Sequence, residues 1–373
     1  MIAGIRLEDF KRFRDLSLNT AALTVLTGAN GAGKTSVLQS ILLARQMARQ
    51  PQRNHVELNG VDSLALGAAE DVIHREADDE LATIEITDTE GESWRWSFRA
   101  PTNERALNAT IVDKASGYKG AIADAPPRFS YLCAERLGPR DVLGASAVDV
   151  AELGVGSRGE FVAQVLASLD RSRVREDRWA PDNTGTTLPG LLHQTERWMA
   201  RIVRPTEIDA EWFPNTSVTR LRFRAPGVQA EWTRAPNAGF GVSYALPVIV
   251  AALRAEVGGL LLVENPEAHL HPAGQSAIGA FLAQVAADGV QIFVETHSDH
   301  VLNGIRVAVA QGTAALSQEQ AVIHFFRGED QEGAVVESLS LRRTGQLTDW
   351  PTGFFDQTQV DLAALAAKRR RES

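Results

Sequence analysis

The sequence predicts an α/β protein: a parallel sheet flanked by helices, with an antiparallel β and helical region inserted into it. Three observations carry that prediction. A β-branched run, ALTVLT, feeds a glycine-rich turn and then a helical stretch from about Lys34 to Arg49. From about residue 240 helical and strand patterns alternate again, and runs as apolar as GLLLV and VQIFVE are those of strands buried on both faces. Between about 52 and 235 the pattern changes to short strands and loops.

Taken in order, alternation in IRLEDF marks a strand ahead of ALTVLT. LATIEITD and SWRWSFR flank the turn residues Thr89-Glu90-Gly91, a hairpin with Trp94, Trp96 and Phe98 on one face and Arg95 and Arg99 on the other. Leu191, Thr195, Trp198 and Ile202 recur at helical spacing, which predicts an amphipathic helix over 189–204. GVSYALPVIVAALRAEV reads as a helix, a second opens at Pro272, and a third follows Ser298. The division expected is a core of 1–60 and 235–345, an inserted β and helical part over 61–234, and a C-terminal motif with a basic tail over 346–373. The tail, Lys368 to Arg371, reads as a solvated end. No repeat or long heptad run is present.

A chain of 373 residues with 44% hydrophobic content can bury a real core, which excludes general disorder. A net charge of −9 excludes the overall positive field of a histone-like protein, so any nucleic-acid contact must be a local patch. The single cysteine, Cys133, can form neither an internal disulfide nor a thiolate zinc cluster, in keeping with a reducing cytoplasm. Arg6, Glu8 and Asp9 interrupt what a signal peptide would keep apolar, and the longest apolar run, Tyr244 to Leu253, stops at Arg254. A cytoplasmic protein without a membrane span is expected.

Chemistry enters at Gly28-Ala29-Asn30-Gly31-Ala32-Gly33-Lys34-Thr35, which fits GxxxxGK[ST] in full and lies between a strand and a helix. Backbone N–H groups of Asn30 to Ser36 and the helix N-terminus would cradle phosphates, Lys34 would reach the β and γ oxygens, and Thr35 would ligate Mg²⁺. A chance glycine turn is the competing reading, and the strand and helix on either side argue against it. Leu260 to Val263 form an apolar strand that ends in Glu264, Asn265 and, after a proline, Glu267, as a strand bringing a metal-binding acid to a P-loop must. Glu295-Thr296-His297-Ser298 closes the next strand, where His297 could touch a γ-phosphate.

The order FKRF, GANGAGKTS, GFGVSYALP, LLLVENPEAHLHP and VETHSDH resembles the ATP-binding-cassette (ABC) ATPases of the RecF, SMC and overcoming-lysogenisation-defect (OLD) group. Asp349 to Asp356, DWPTGFFD, is similar to the C-terminal motif of a subgroup of bacterial OLD-like ATPases, and YLCAER at 131–136 to another stretch of that subgroup. The resemblance covers about 1–60 and 235–360. It implies a P-loop head of the ABC type that binds Mg·ATP, with Thr35 and Glu264 at the metal and His297 as the switch histidine. Gly239, Gly241 and Ser243 match the signature segment, which in such ATPases meets the opposite subunit's nucleotide, so an ATP-sandwiched homodimer is implied. Asn265 departs from the pattern: it occupies the catalytic-glutamate position, and a neutral amide cannot act as a general base. Slow hydrolysis, or a base supplied by Glu267 or Glu295, both remain open, and Gln52 is the candidate for the Q-loop.

After the last predicted strand pair only about 30 residues remain, too few for a Toprim-like nuclease domain, and no long coiled coil is present to serve as SMC arms. The resemblance therefore implies an ATPase acting in DNA maintenance or antiphage defence with a separately encoded effector such as a nuclease. The alternative is a nucleotide-gated switch or scaffold with little hydrolysis. The RecF-like FKRF entry and the closing motif disfavour the ATPase of a transporter. One further surface is legible: VTRLRFRA places Arg220, Arg222 and Arg224 on one strand face, either a stripe for DNA phosphates or an acid-paired face.

Overall fold

The computed structural model describes residues 1–100, 106–181, 188–227, 230–312, 315–330, 333–356, 360–362 and 364–365. In chain order its strands are β1 (Ile2–Phe10), β2 (Phe13–Asn19), β3 (Leu23–Gly28), β4 (His55–Glu57), β5 (Leu81–Asp88), β6 (Ser93–Arg99), β7 (Asn108–Asp113), β8 (Phe129–Leu132), β9 (Leu143–Gly144), β10 (Glu207–Phe213), β11 (Val218–Arg224), β12 (Thr233–Arg234), β13 (Leu260–Glu264), β14 (Gln291–Glu295), β15 (Ala321–Asp330) and β16 (Gly333–Ser340). The α-helices are α1 (Lys34–Arg49), α2 (Val162–Leu169), α3 (Leu191–Ile202), α4 (Ala235–Ala238), α5 (Phe240–Arg254), α6 (Pro272–Ala287) and α7 (Asp299–Gln311).

The central sheet runs β16-β15-β3-β14-β13-β8, parallel throughout except for β16 at its edge. Every residue of β13 and β14 is buried. Alternate residues feed two different cores, because successive side chains leave a strand on opposite faces. Leu23, Val25, Leu261, Val263, Ile292 and Val294 pack with α2, α3, α5, α6 and α7. Leu26, Leu260, Leu262 and Phe293 pack on the other face with α1 and a second sheet.

That second sheet is antiparallel, in the order β2-β1-β5-β6-β7-β4, and it covers α1 with Leu7, Phe10, Ile84, Trp96 and Phe98. The hairpin of β5 and β6 forms with Trp96 and Phe98 buried and Arg95 exposed, where it pairs with Glu85 at 2.8 Å. The molecule is thus layered as antiparallel sheet, α1, parallel sheet and helices, a mixed α/β architecture as the sequence predicts. Among the described residues no helix is long and apolar enough to cross a membrane.

Two features differ from the division drawn on the sequence. Four residues inside the expected insertion, Phe129 to Leu132, form β8 and extend the central sheet alongside β13. A strand this short has no periodicity to announce it. Conversely β1 and β2, expected with the nucleotide core, belong to the antiparallel sheet. The basic tail at 368–371 lies outside the described residues.

Of the two readings the sequence leaves open for the arginine strand, the structure shows the acid-paired one. Arg220, Arg222 and Arg224 do share a face of β11, but antiparallel pairing sets β10 beside it, and each arginine meets an acid: Glu211 at 2.5 Å, Asp209 at 2.6 Å and Glu207 at 2.5 Å. The ladder carries no excess positive charge, and the reason to read it as a DNA-phosphate stripe is gone. Arg175 and Arg178 are likewise matched, both by Asp288, with Arg178 fully buried.

Candidate functional site

Parallel strands end at the same edge of their sheet, and that edge is where β3, β13 and β14 deliver their C-terminal residues. Glu264 stands in register with Glu295, and Glu295 with Leu26, two residues before Gly28. The glycine-rich turn leaves β3 there. Gly28 (φ 131°) lies so close to the next strand that a Cβ would stand 2.1 Å from the Phe326 carbonyl oxygen, so no other residue fits. Gly33 (φ 99°) is the left-handed residue that turns the loop into α1.

An open cleft of about 1190 Å³ lies over this edge. Asn30, Gly31, Gly33, Lys34, Thr35 and Ser36 line it from the loop, Glu264 and Asn265 from β13, and Glu295 and His297 from β14. Ala32 does not; it is buried in the core beneath the loop. The Lys34 ammonium is folded onto the loop, donating to the carbonyls of Gly28 (3.1 Å) and Ala29 (2.6 Å). Burial lowers its pKa, and the nearby Glu295 charge opposes that shift. Thr35 Oγ1 donates to Glu295 Oε1 at 2.8 Å. Desolvation first, and the Glu264 charge second, push the Glu295 carboxyl up to about 7.

The three other residues of β13 and its turn differ in what they can do. Glu264 has both carboxylate oxygens occupied, Oε1 by the Tyr131 hydroxyl (2.7 Å) and Oε2 by the Ala134 N–H (2.9 Å). Burial raises its pKa against those two hydrogen bonds and Arg136. Glu267 is occupied as well, accepting from Thr296 Oγ1 (2.8 Å) and the His297 N–H (2.9 Å), and it holds the turn after β14 rather than lining the cleft. Asn265 adopts a left-handed backbone (φ 43°), which asparagine tolerates better than most residues, and its buried Oδ1 has no hydrogen-bond partner. His297 projects at the rim with its pKa lowered, by desolvation first and the Lys34 charge second, so its ring is neutral at neutral pH.

Several contributors carry no role in the sequence reading. Arg136, only 2% exposed, sends Nη1 to the Cys133 (3.1 Å) and Glu264 (2.6 Å) carbonyls and Nη2 to the Asn265 carbonyl (2.6 Å). With Tyr131 and Ala134 it makes the 131–136 stretch the clamp on the end of β13. Lys11 and Arg12 wall the cleft, Arg12 donating to the Gly31 carbonyl, and His74 and Arg75 face them. FKRF and YLCAER are visible as motifs, but the partners of Tyr131, Ala134 and Arg136, 128 to 133 residues away in sequence, are not.

Gly239, Gly241 and Ser243 are not brought to this cleft. They form the start of α5, Gly239 exposed and the other two half-buried, and a Cβ on Gly241 would lie 2.9 Å from the His269 carbonyl oxygen. The exposed Phe240 stacks beside Tyr244 and His269 there, with ring centroids 6.3 and 5.1 Å away. Gln52 lies exposed past the far end of α1, about 24 Å along the helix axis from the loop, and does not line the cleft. In the C-terminal motif Phe354 is fully buried, edge-on to Phe325 at 5.1 Å and to Trp350 at 5.0 Å. Thr352, Gly353, Phe355 and Asp356 line a second cavity of about 490 Å³, shared with Gly28, Ala29 and His297.

Comparison with known proteins agrees with this geometry. A family model described as "AAA domain, putative AbiEii toxin, Type IV TA system" matches residues 23–131 and 205–303, more than half of the chain. A second, "Protein of unknown function (DUF3696)", matches residues 316–365, which include β15, β16 and the aromatic motif. No curated protein matches the chain. Among solved structures, an Smc head bound to the C-winged helix domain of ScpA is 13% identical over 92% of this chain and 98% of that one, with a TM-score of 0.50. An Smc head with an extended coiled coil, bound to the C-terminal domain of ScpA derived from Pyrococcus furiosus, is 13% identical over 91% and 96%, also with a TM-score of 0.50. At such identity the likeness is one of fold. The chain belongs to the family described as "AAA domain, putative AbiEii toxin, Type IV TA system", a nucleotide-binding family, and its fold is that of a P-loop ATPase head of the SMC and ABC type.

Proposed function

We propose that the chain binds ATP with Mg²⁺ in the cleft above β3, β13 and β14. The observation that carries this reading is the convergence of Lys34, Thr35, Glu264, Glu295 and His297 around one glycine loop at the start of a 16-residue helix. The N–H groups of that loop and of the first turn of α1 receive the phosphates, and Lys34 exchanges its two carbonyl contacts for phosphate oxygens. The lining fits a hard cation: the Thr35 hydroxyl and the carboxylates at the ends of β13 and β14 offer oxygen atoms, from which such an ion draws its ligands. Among the described residues no cluster of three or more His, Cys, Asp or Glu makes an all-protein metal cage, as suits an ion that keeps waters and is shared with phosphate. Mg²⁺, when bound, offsets the phosphate charge.

Two copies close over the nucleotides, the start of α5 with Gly239, Gly241 and Ser243 meeting the partner's ATP. Hydrolysis is slow. Asn265 offers no proton acceptor, and Glu267 is committed to Thr296 and His297. Both observations favour a nucleotide-gated switch whose ATP-bound dimer is read by a separately encoded effector, in antiphage defence or DNA maintenance. The neutralised arginine ladder points the output at a protein rather than directly at DNA.

Two results test this. Phosphate release by Asn265→Glu should exceed the wild-type rate at least tenfold, below the ~100-fold of a well-placed base because the left-handed backbone suits glutamate poorly. An unchanged rate would mean that the missing carboxylate is not what limits turnover. In sedimentation, Mg·ATP should raise the dimer fraction of the wild type but not of Ser243→Arg, while ATP affinity is kept. Ser243 is preferable to Gly241, where any side chain would strike the His269 carbonyl. A nucleotide-dependent dimer in Ser243→Arg would argue against the composite interface.

A further inference from the structure

Of the cleft acids Glu264 and Glu295, only Glu295 has a carboxylate oxygen without a hydrogen-bond partner. It lines the cleft, is 5% exposed, holds Thr35 Oγ1 through Oε1, and its buried Oε2 has no hydrogen-bond partner. An acceptor sequestered from water without a donor is costly, and here a second buried carboxylate, Glu264, stands beside it in register on the next strand. Glu264 is held in place by one donor on each oxygen, Tyr131 and Ala134, whereas Glu295 is held through Oε1 alone. Thr35 and Glu295 both line the cleft in which the phosphates of a nucleotide on the loop would lie.

We infer that Glu295, and not Glu264, is the carboxylate that with Thr35 engages the divalent cation of the bound nucleotide, Glu264 serving as the clamped residue that fixes the end of β13. The assignment rests on the reading of the cleft as a nucleotide site. It gives the position before Thr296 a ligand's role and leaves the strand-end acid of β13 a structural one. Thr35 and Glu295, already joined by a hydrogen bond, would hold the cation, which would offset the phosphate charge.

The test uses the full chain and a fluorescent N-methylanthraniloyl ATP, titrated once in EDTA and once in Mg²⁺, with Mn²⁺ binding followed by electron paramagnetic resonance in the presence of ATP. Glu295→Gln, of the same shape, should keep its affinity in EDTA and lose the gain given by Mg²⁺, with Mn²⁺ affinity down at least tenfold. Glu264→Gln should keep most of that gain; where it folds poorly, Tyr131→Phe, which frees one Glu264 oxygen, should leave the gain intact. Loss of the gain in Glu264→Gln with Glu295→Gln unaffected would overturn the assignment. So would equal loss in both, which is a shared field rather than a ligand. Failure of the wild type to bind the nucleotide in either solution would overturn the nucleotide reading and the assignment together.

Discussion

Replacing Arg136 by alanine should lower the stability of the protein by about 3–5 kcal/mol, seen as a fall of roughly 5 °C in the midpoint of thermal unfolding. The guanidinium is nearly inaccessible and serves three carbonyls, those of Cys133, Glu264 and Asn265, which no other side chain reaches. The Asn265 carbonyl would keep the Ala268 N–H at 3.1 Å, but each buried acceptor left unpaired costs about 1–3 kcal/mol, and the missing side chain leaves a cavity under the Tyr244 ring, 5.4 Å from the guanidinium. Arg136→Lys keeps a charge but not the fork, and should fall between the two. A loss of less than about 3 °C would show that the clamp on the end of β13 is dispensable.

Lys34→Ala should weaken ATP binding at least about 100-fold, the equivalent of about 3 kcal/mol for charge-assisted contacts to phosphate. The fold should survive, because the Lys34 ammonium binds only loop carbonyls and the loop is shaped by Gly28 and Gly33. Equilibrium nucleotide binding alongside circular dichroism separates the two effects. Unchanged affinity in a folded variant would remove the phosphate role from Lys34.

Much of the scaffold of the site is legible because its signals are local. The helix from Lys34 to Arg49, the apolar strands before Glu264 and Glu295, and the helix start at Pro272 are each set by a run of neighbouring residues. What escapes is set by pairing across the chain. Nothing within FSYL marks it as the sixth strand of the central sheet, since its partner, β13, is about 130 residues away. The arginine ladder stays open between two readings for the same reason, although a signal was present: EIDAE alternates acids with the same period as VTRLRFR alternates arginines, and antiparallel pairing brings the two together. Glu264 looks like an unconstrained ligand in the sequence, and only the structure shows Tyr131 and Ala134 each donating to one of its oxygens.

The claim on which the rest depends is that the cleft over β3, β13 and β14 is a nucleotide site. Isothermal titration of the full chain with ATP and Mg²⁺ tests it most directly. The expected result is one saturable site per chain, lost in Lys34→Ala and insensitive to serine replacement of Arg220, Arg222 and Arg224. Absence of saturable binding, or binding that Lys34→Ala leaves untouched, would contradict it.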